Sequence, residues 1–140
     1  MEGAAEVTSA SGGVAQQPLT VLVVDDDADV AQGLAEFLEE EGFAVVTAGD
    51  GAAALDHLRR GLRPCAILLD LMMPRMNGWD FRREQLQDQD LRDIPVVVVS
   101  AARLDDATTA QLGQVDFIPK PPSMPQLLAA VRRHCGAALQ

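Results

Sequence analysis

The residues able to do chemistry in this sequence are few: three adjacent acids, Asp25-Asp26-Asp27, a further acid at Asp70, a hydroxyl at Ser100, and a lysine between prolines, Pro119-Lys120-Pro121. Close carboxylates repel one another and take up protons unless a cation neutralises them. Magnesium suits such a set, because this hard ion accepts few protein oxygens, keeps several waters and recruits phosphate oxygens. A lysine and a hydroxyl nearby would hold the remaining oxygens of a phosphoryl group. Positioning plus charge neutralisation is what phosphoryl transfer requires.

Taken singly, each residue is ordinary. Acids and serines at strand ends are common in loops and caps, and a lysine between prolines is normally a solvated charge. Their placement is what counts. Asp25 follows the run Thr20-Val21-Leu22-Val23-Val24, Asp70 follows Ala66-Ile67-Leu68-Leu69, Ser100 follows Val96 to Val99, and Lys120 follows Val115 to Ile118 by one proline. With Phe43-Ala44-Val45-Val46-Thr47, these make five strand-sized apolar runs. They are continuous and β-branched, as strands buried on both faces require. Only the second hints at alternation, which suits an edge.

Helical patterns separate the runs. Val30, Leu34, Phe37 and Leu38 share one helix face closed by Gly42. Asp50 can cap a second helix that turns Ala54, Leu55 and Leu58 inward and stops near Gly61 and Pro64. A third is expected from Gly78 to about Gln89, and a fourth, with a thin apolar face, from Leu104 to about Leu112. Ser123 caps the last, where Leu127, Leu128 and Val131 form the stripe and Arg132, Arg133 and His134 meet the negative end of the dipole. Strict β-α alternation means parallel strands joined by right-handed crossovers, a doubly wound α/β sandwich. In such a sheet all strand carboxyl ends lie on one edge, where ligands bind. The topology alone therefore gathers Asp25, Asp26, Asp70, Ser100 and Lys120.

The bulk numbers agree with one domain. The chain has 140 residues, 48% hydrophobic and 23% charged, enough for a core that needs no disulfide or metal staple. A formal net charge of −10 disfavours a nucleic-acid or anionic membrane surface. No apolar stretch approaches a membrane span and no signal peptide is apparent, so the cytoplasm is the expected setting. Cys65 and Cys135 lie far apart with no metal-like spacing, and are read as free buried or half-buried thiols in a reducing compartment. Residues 1–18 are small and polar and are expected to form a disordered tail, with the domain proper at 19–138.

Four blocks carry a family resemblance. Val21-Leu22-Val23-Val24-Asp25-Asp26-Asp27, Leu68 through Gly78 (LLDLMMPRMNG), Ile94 through Ala101 (IPVVVVSA) and Phe117-Ile118-Pro119-Lys120-Pro121 resemble, in order and spacing, the receiver domain of bacterial response regulators in two-component signalling. The resemblance spans about Leu19 to Ala137. It implies a flavodoxin-like fold with strand order 2-1-3-4-5 and five helices. It implies that Asp70 accepts a phosphoryl group from a phosphohistidine donor, forming 4-aspartylphosphate. Asp26 would be a direct Mg²⁺ (or Mn²⁺) ligand, Asp25 would act mostly through water, Asp70 would complete the acidic set, and Met72 would add its backbone carbonyl. Ser100 would be the switch hydroxyl, Lys120 the phosphoryl contact and Phe117 the aromatic rotamer switch. Pro74 and Gly78 would shape the loop after the third strand, and Lys120-Pro121 resembles the family's cis dipeptide. In this family the residues two beyond the acceptor and the hydroxyl tune attack by water. Here they are Met72 and Ala102, neither able to orient one, so slow to moderate self-dephosphorylation is expected. Asp27 is expected to begin the loop into the first helix and Asp29 to cap it. The family's usual Gly-Ala-Asp-Asp before the fifth strand is replaced by Gly113-Gln114-Val115-Asp116, and the stretch from Ser100 to Lys120 is slightly short.

Two other readings compete with a phosphorylation switch. An aspartate-nucleophile phosphohydrolase would need a cap, for which no insertion is long enough. A degenerate receiver that only binds partners is disfavoured because every key position is filled. His57 and His134 sit in helical surface settings unlike a phosphohistidine site. The sequence ends within a few residues of the last helix, so output is expected from a partner. The expected partners are a sensor histidine kinase or histidine phosphotransfer protein and an unidentified target, with the chain a monomer or a phosphorylation-dependent dimer.

Overall fold

The computed structural model of the chain describes residues 19–136; the expected tail lies outside the described residues. Ten elements alternate without exception: β1 (Thr20–Val24), α1 (Ala28–Glu40), β2 (Ala44–Ala48), α2 (Gly51–Arg59), β3 (Ala66–Leu69), α3 (Gly78–Leu86), β4 (Val96–Ser100), α4 (Asp106–Leu112), β5 (Asp116–Pro119) and α5 (Met124–Cys135). All neighbouring strands are parallel, in the order β2-β1-β3-β4-β5. This is the doubly wound, flavodoxin-like strand order that the resemblance implied.

Successive strand residues point to opposite faces, and the two faces have separate cores. Leu22, Val24, Ile67, Leu69, Val96 and Val98 pack with Leu55 and Leu58 of α2, Phe81 of α3 and Leu112 of α4. Val21, Val23, Leu68, Val97, Val99 and Ile118 pack with Leu34 and Leu38 of α1 and Leu127 and Val131 of α5. Burial on both sides is why these strands read as unbroken apolar runs.

Several expectations shift by a residue or a turn. β2 and β5 each begin one residue later than expected, and β4 extends to Ser100. α3 stops at Leu86, because the chain then folds back to bury Leu91 and the buried amide of Gln85 donates to the carbonyls of Leu91 (2.9 Å) and Ile94 (3.0 Å). α4 starts at Asp106, where Asp105 and Thr108 form a reciprocal capping box, each side chain accepting from the other's backbone N–H. The cap of α1 is Asp27, accepting from the amides of Asp29 and Val30; Asp29 lies inside the first turn. Leu128 is only half-buried.

The cysteine expectation is overturned. Cys65 and Cys135 are joined in a disulfide, with Cα atoms 5.1 Å apart across 70 residues of sequence. A helix antiparallel to its strands returns to the sheet's amino edge, so the last residue of α5 arrives beside the residue that precedes β3. Sequence separation hid that meeting.

Candidate functional site

The carboxyl ends of β1, β3, β4 and β5 bring the expected residues together. Asp25 leaves β1 with its amide bonded to Ala48 O (3.0 Å), and Asp70 leaves β3 with its amide bonded to Val24 O (2.9 Å). These ladder bonds hold the two acids side by side. Asp25, Asp26 and Asp70 each offer a carboxylate oxygen within 4.8 Å of the others. Asp25 and Asp70 are buried, at 5% and 6% exposure, whereas Asp26 is exposed to solvent. Two or more carboxylates so placed demand positive charge. The donor set is hard oxygen throughout and one side is open to water, which fits magnesium or manganese.

Part of that charge comes from Lys120. Its ammonium lies 2.6 Å from Asp25 Oδ2 and 3.4 Å from Asp70 Oδ2. Burial pulls its pKa down, but the hydrogen bond and charge of Asp25, with Asp70 behind it, outweigh burial and hold the group above the ordinary lysine value. The Lys120 amide donates to Ser100 O (3.1 Å), and the Lys120-Pro121 bond is cis, as the resemblance implied.

The remaining oxygens are held locally. Asp25 Oδ1 accepts from the amide of Asp27 (2.9 Å), and Asp70 Oδ1 from that of Met72 (3.3 Å). Ser100 is fully buried, and its Oγ accepts from the amide of Ala102 (3.2 Å). Phe117 points outward from β5, 38% exposed, between a half-buried Asp116 and a buried Ile118. Met72 projects its side chain into solvent, 61% exposed, leaving the backbone as its only contribution to the pocket.

The β3–α3 loop is stitched on both sides. Gly78 opens α3 directly against Asp70: a Cβ there would lie 2.5 Å from Asp70 O and 2.7 Å from Leu71 Cα. Its amide donates to Leu71 O (3.0 Å). Pro74 lies in the same loop, and Arg75 after it takes a left-handed φ of 63° and pairs with Asp50, the cap of α2. The amide of Ala53 and then the Arg75 guanidinium hold Asp50 below the usual carboxylate range. Gly51 donates to Met76 O (2.9 Å), closing the seam.

Sequence reasoning missed three contributors. Nothing in the sequence pattern marked Arg75 or its left-handed φ. Asp27 braces Asp25 as well as capping α1. Arg82 is 5% exposed and donates to Leu112 O (2.7 Å), Gln85 Oε1 (2.8 Å) and Gln114 O (3.4 Å), tying α3 to the end of α4. Burial lowers its pKa. His57 is half-buried on α2, and His134 bonds Asp116 at the opposite sheet edge, so neither shares the acidic pocket.

The comparisons with known proteins agree with this geometry. Residues 21–132 match the family model for the response regulator receiver domain. The chain belongs to that family, a phosphoacceptor signalling module of two-component systems. It is 38% identical over 117 residues to response regulator MprA of Mycobacterium sp. (strain KMS), covering 82% of this chain and 50% of that protein. It is 41% identical over 114 residues to the DNA-binding response regulator MtrA of Mycolicibacterium paratuberculosis, covering 80% and 49%. The chain thus spans about half the length of these curated relatives. Among solved structures, a response regulator receiver protein from Pseudomonas putida superposes with a TM-score of 0.77 at 28% identity, covering 84% of this chain and 98% of that one. Chemotaxis protein CheY4 of Vibrio cholerae gives 0.76 at 25% identity, covering 84% and 99%.

Proposed function

We propose that this chain is a phosphorylation switch in which Asp70 accepts a phosphoryl group from a phosphohistidine donor. The observation that carries the reading is the meeting of the Asp25, Asp26 and Asp70 carboxylates within 4.8 Å, with the Lys120 ammonium against two of them. Asp25, Asp26, Asp70 and the Met72 carbonyl would hold a magnesium or manganese ion, which when bound neutralises the carboxylates against the incoming phosphoryl oxygens.

The rest is done by the chain's own residues. An Asp70 carboxylate oxygen forms the new bond to phosphorus as the donor's phosphorus–nitrogen bond breaks, and the electron pair leaves on the imidazole. Lys120 holds one phosphoryl oxygen. The Ser100 hydroxyl donates to another, and Phe117, two strand residues before Pro119, follows inward. The surface of α4, β5 and α5 then changes its affinity for a target protein. Met72 and Ala102 offer no side-chain group to orient water, which favours a slow to moderate loss of the phosphoryl group.

In this reading the domain occupies residues 19–138 and works in the cytoplasm with a sensor kinase or phosphotransfer protein, as a monomer or a phosphorylation-dependent dimer. It catalyses its own phosphorylation and dephosphorylation without being an enzyme in the turnover sense. No described helix is long and apolar enough to cross a membrane. The whole chain's net charge of −10 favours a protein partner over nucleic acid. The test is incubation with acetyl phosphate and magnesium, read by mass spectrometry. Wild type should gain one phosphoryl mass, and Asp70→Asn should gain none while keeping its fold by circular dichroism. A labelled Asp70→Asn variant would refute the acceptor assignment.

A further inference from the structure

The disulfide lies where a covalent link does most to α5. That helix starts at Met124, four residues after Lys120 in the acidic pocket, and ends at Cys135 on the opposite sheet edge. Cys65 sits just before the central strand β3, its amide bonded to Thr20 O (2.9 Å) at the start of β1, so the link anchors α5 to β3 and its neighbour β1. The other polar ties at this end of α5 are weak. Arg132–Glu41 (3.0 Å) and Arg133–Asp116 (2.9 Å) join half-exposed side chains, and His134 shares Asp116. The fold has two apolar cores of its own, so a link here is not needed for the sheet to form.

We propose that Cys65 and Cys135 are a reversible redox fastener on α5. Resting on the switch reading above, it sets how far the output helix moves in either phosphorylation state. The two cysteines differ in access, Cys65 being half-buried and Cys135 only 1% exposed, so exchange begins at Cys65. In closing, the Cys65 thiolate attacks a low-molecular-weight disulfide, forming a mixed disulfide and releasing one small thiolate, which takes up the Cys65 proton. The Cys135 thiolate then attacks the Cys65 sulfur and expels the second small thiolate, which takes up the Cys135 proton. The chain is oxidised by two electrons and the small disulfide is reduced by two. Opening runs in reverse with a small thiol. In a reducing compartment, disulfides that do form are usually transient and sensing rather than structural.

The experiment uses the full chain, unphosphorylated, treated with oxidised glutathione or with dithiothreitol. Thiols are counted by alkylation and mass spectrometry, and amide hydrogen exchange is followed by peptide. Oxidised chain should show no alkylatable thiol. Reduced chain should show two and exchange at least tenfold faster in the last turns of α5, with β1 and β3 unchanged. Cys65→Ser, with a single thiol, should show the α5 exchange of the reduced form under both treatments. Equal exchange of α5 in both forms, or failure of oxidised glutathione to close the pair, would overturn the proposal. Faster exchange throughout the sheet on reduction would make the cystine a structural staple and also overturn it. Labelling of Asp70 by acetyl phosphate, run in parallel, tests the switch reading by itself.

Discussion

The Lys120 ammonium sits on Asp25, 2.6 Å from Oδ2, and stands 3.4 Å from Asp70, the proposed acceptor. The lysine thus occupies charge that a divalent ion would share. Replacing it with Met removes a competing cation together with the proposed phosphoryl contact. Lys120→Met is expected to bind magnesium several-fold more tightly by titration calorimetry. Its rate of labelling by acetyl phosphate should fall by about 10- to 100-fold, the range for one charge-assisted hydrogen bond. Unchanged magnesium affinity would show that lysine and ion do not compete for the same carboxylates.

Glycines at the start and the middle of helices should respond oppositely to alanine. At Gly78 the added Cβ meets the Asp70 carbonyl oxygen at 2.5 Å and the Leu71 Cα at 2.7 Å, both backbone. Neither can step aside without moving Asp70. Gly78→Ala should cost about 1–3 kcal/mol in urea unfolding, the usual cost of overpacking, and should slow Asp70 labelling. Gly33, within α1, has nothing within 4 Å of its added Cβ. Gly33→Ala should stabilise by about 0.5–1 kcal/mol through helix propensity alone. A stable Gly78→Ala variant would mean the β3–α3 loop yields more easily than its contacts indicate.

The strands, their alternation with helices and the acidic edge were legible because all three depend on local pattern plus topology, whereas the strand order came from the family resemblance alone. A run such as Val96 to Val99 has few options other than a doubly buried strand, and the residue after it must lie on the ligand edge. What escaped depends on meetings between distant residues. The cap of α1 fell to Asp27 because its position matches the amides of Asp29 and Val30, a matter of one residue. Arg82 occupies a core-facing helical position that composition assigns to solvent. Its guanidinium is tolerated because carbonyls at the end of α4 receive it. Cys65 and Cys135 meet only because α5 runs the whole depth of the sheet.

Arg82 is a buried cation with no carboxylate partner among its hydrogen bonds, which run to Leu112 O, Gln85 Oε1 and Gln114 O. Such a group contributes through packing and through capping the carbonyls of α4 rather than through an ion pair. Arg82→Met keeps most of the volume and removes a costly burial of charge, so it should lose at most about 1.5 kcal/mol. Arg82→Ala leaves a cavity and should lose about 2–4 kcal/mol. Amide exchange at Ala110 to Gln114 should quicken in both variants. Equal stabilities for Met and Ala would assign the arginine's contribution to its hydrogen bonds alone.

Asp50 separates a cap from an ion pair. It accepts from the Ala53 amide at 2.8 Å and pairs with Arg75, whose side chain is 70% exposed. An exposed partner contributes little in water, so the cap should dominate. Asp50→Asn keeps a capping oxygen and should lose less than about 0.5 kcal/mol, whereas Asp50→Ala should lose about 1 kcal/mol. The folded pKa of Asp50 lies below its ordinary value, so the unfolded chain binds the proton more tightly. Its stabilisation is therefore complete above the usual carboxylate range and drains away as pH falls through the lowered folded value. The gap between wild type and Asp50→Ala should accordingly be widest near neutrality and shrink in acid, measured as urea midpoints across pH. A gap that stayed constant into acid would mean that the Asp50 carboxylate is not titrating differently in the folded and unfolded chain, and that the Arg75 and Ala53 contacts hold its neutral form equally well.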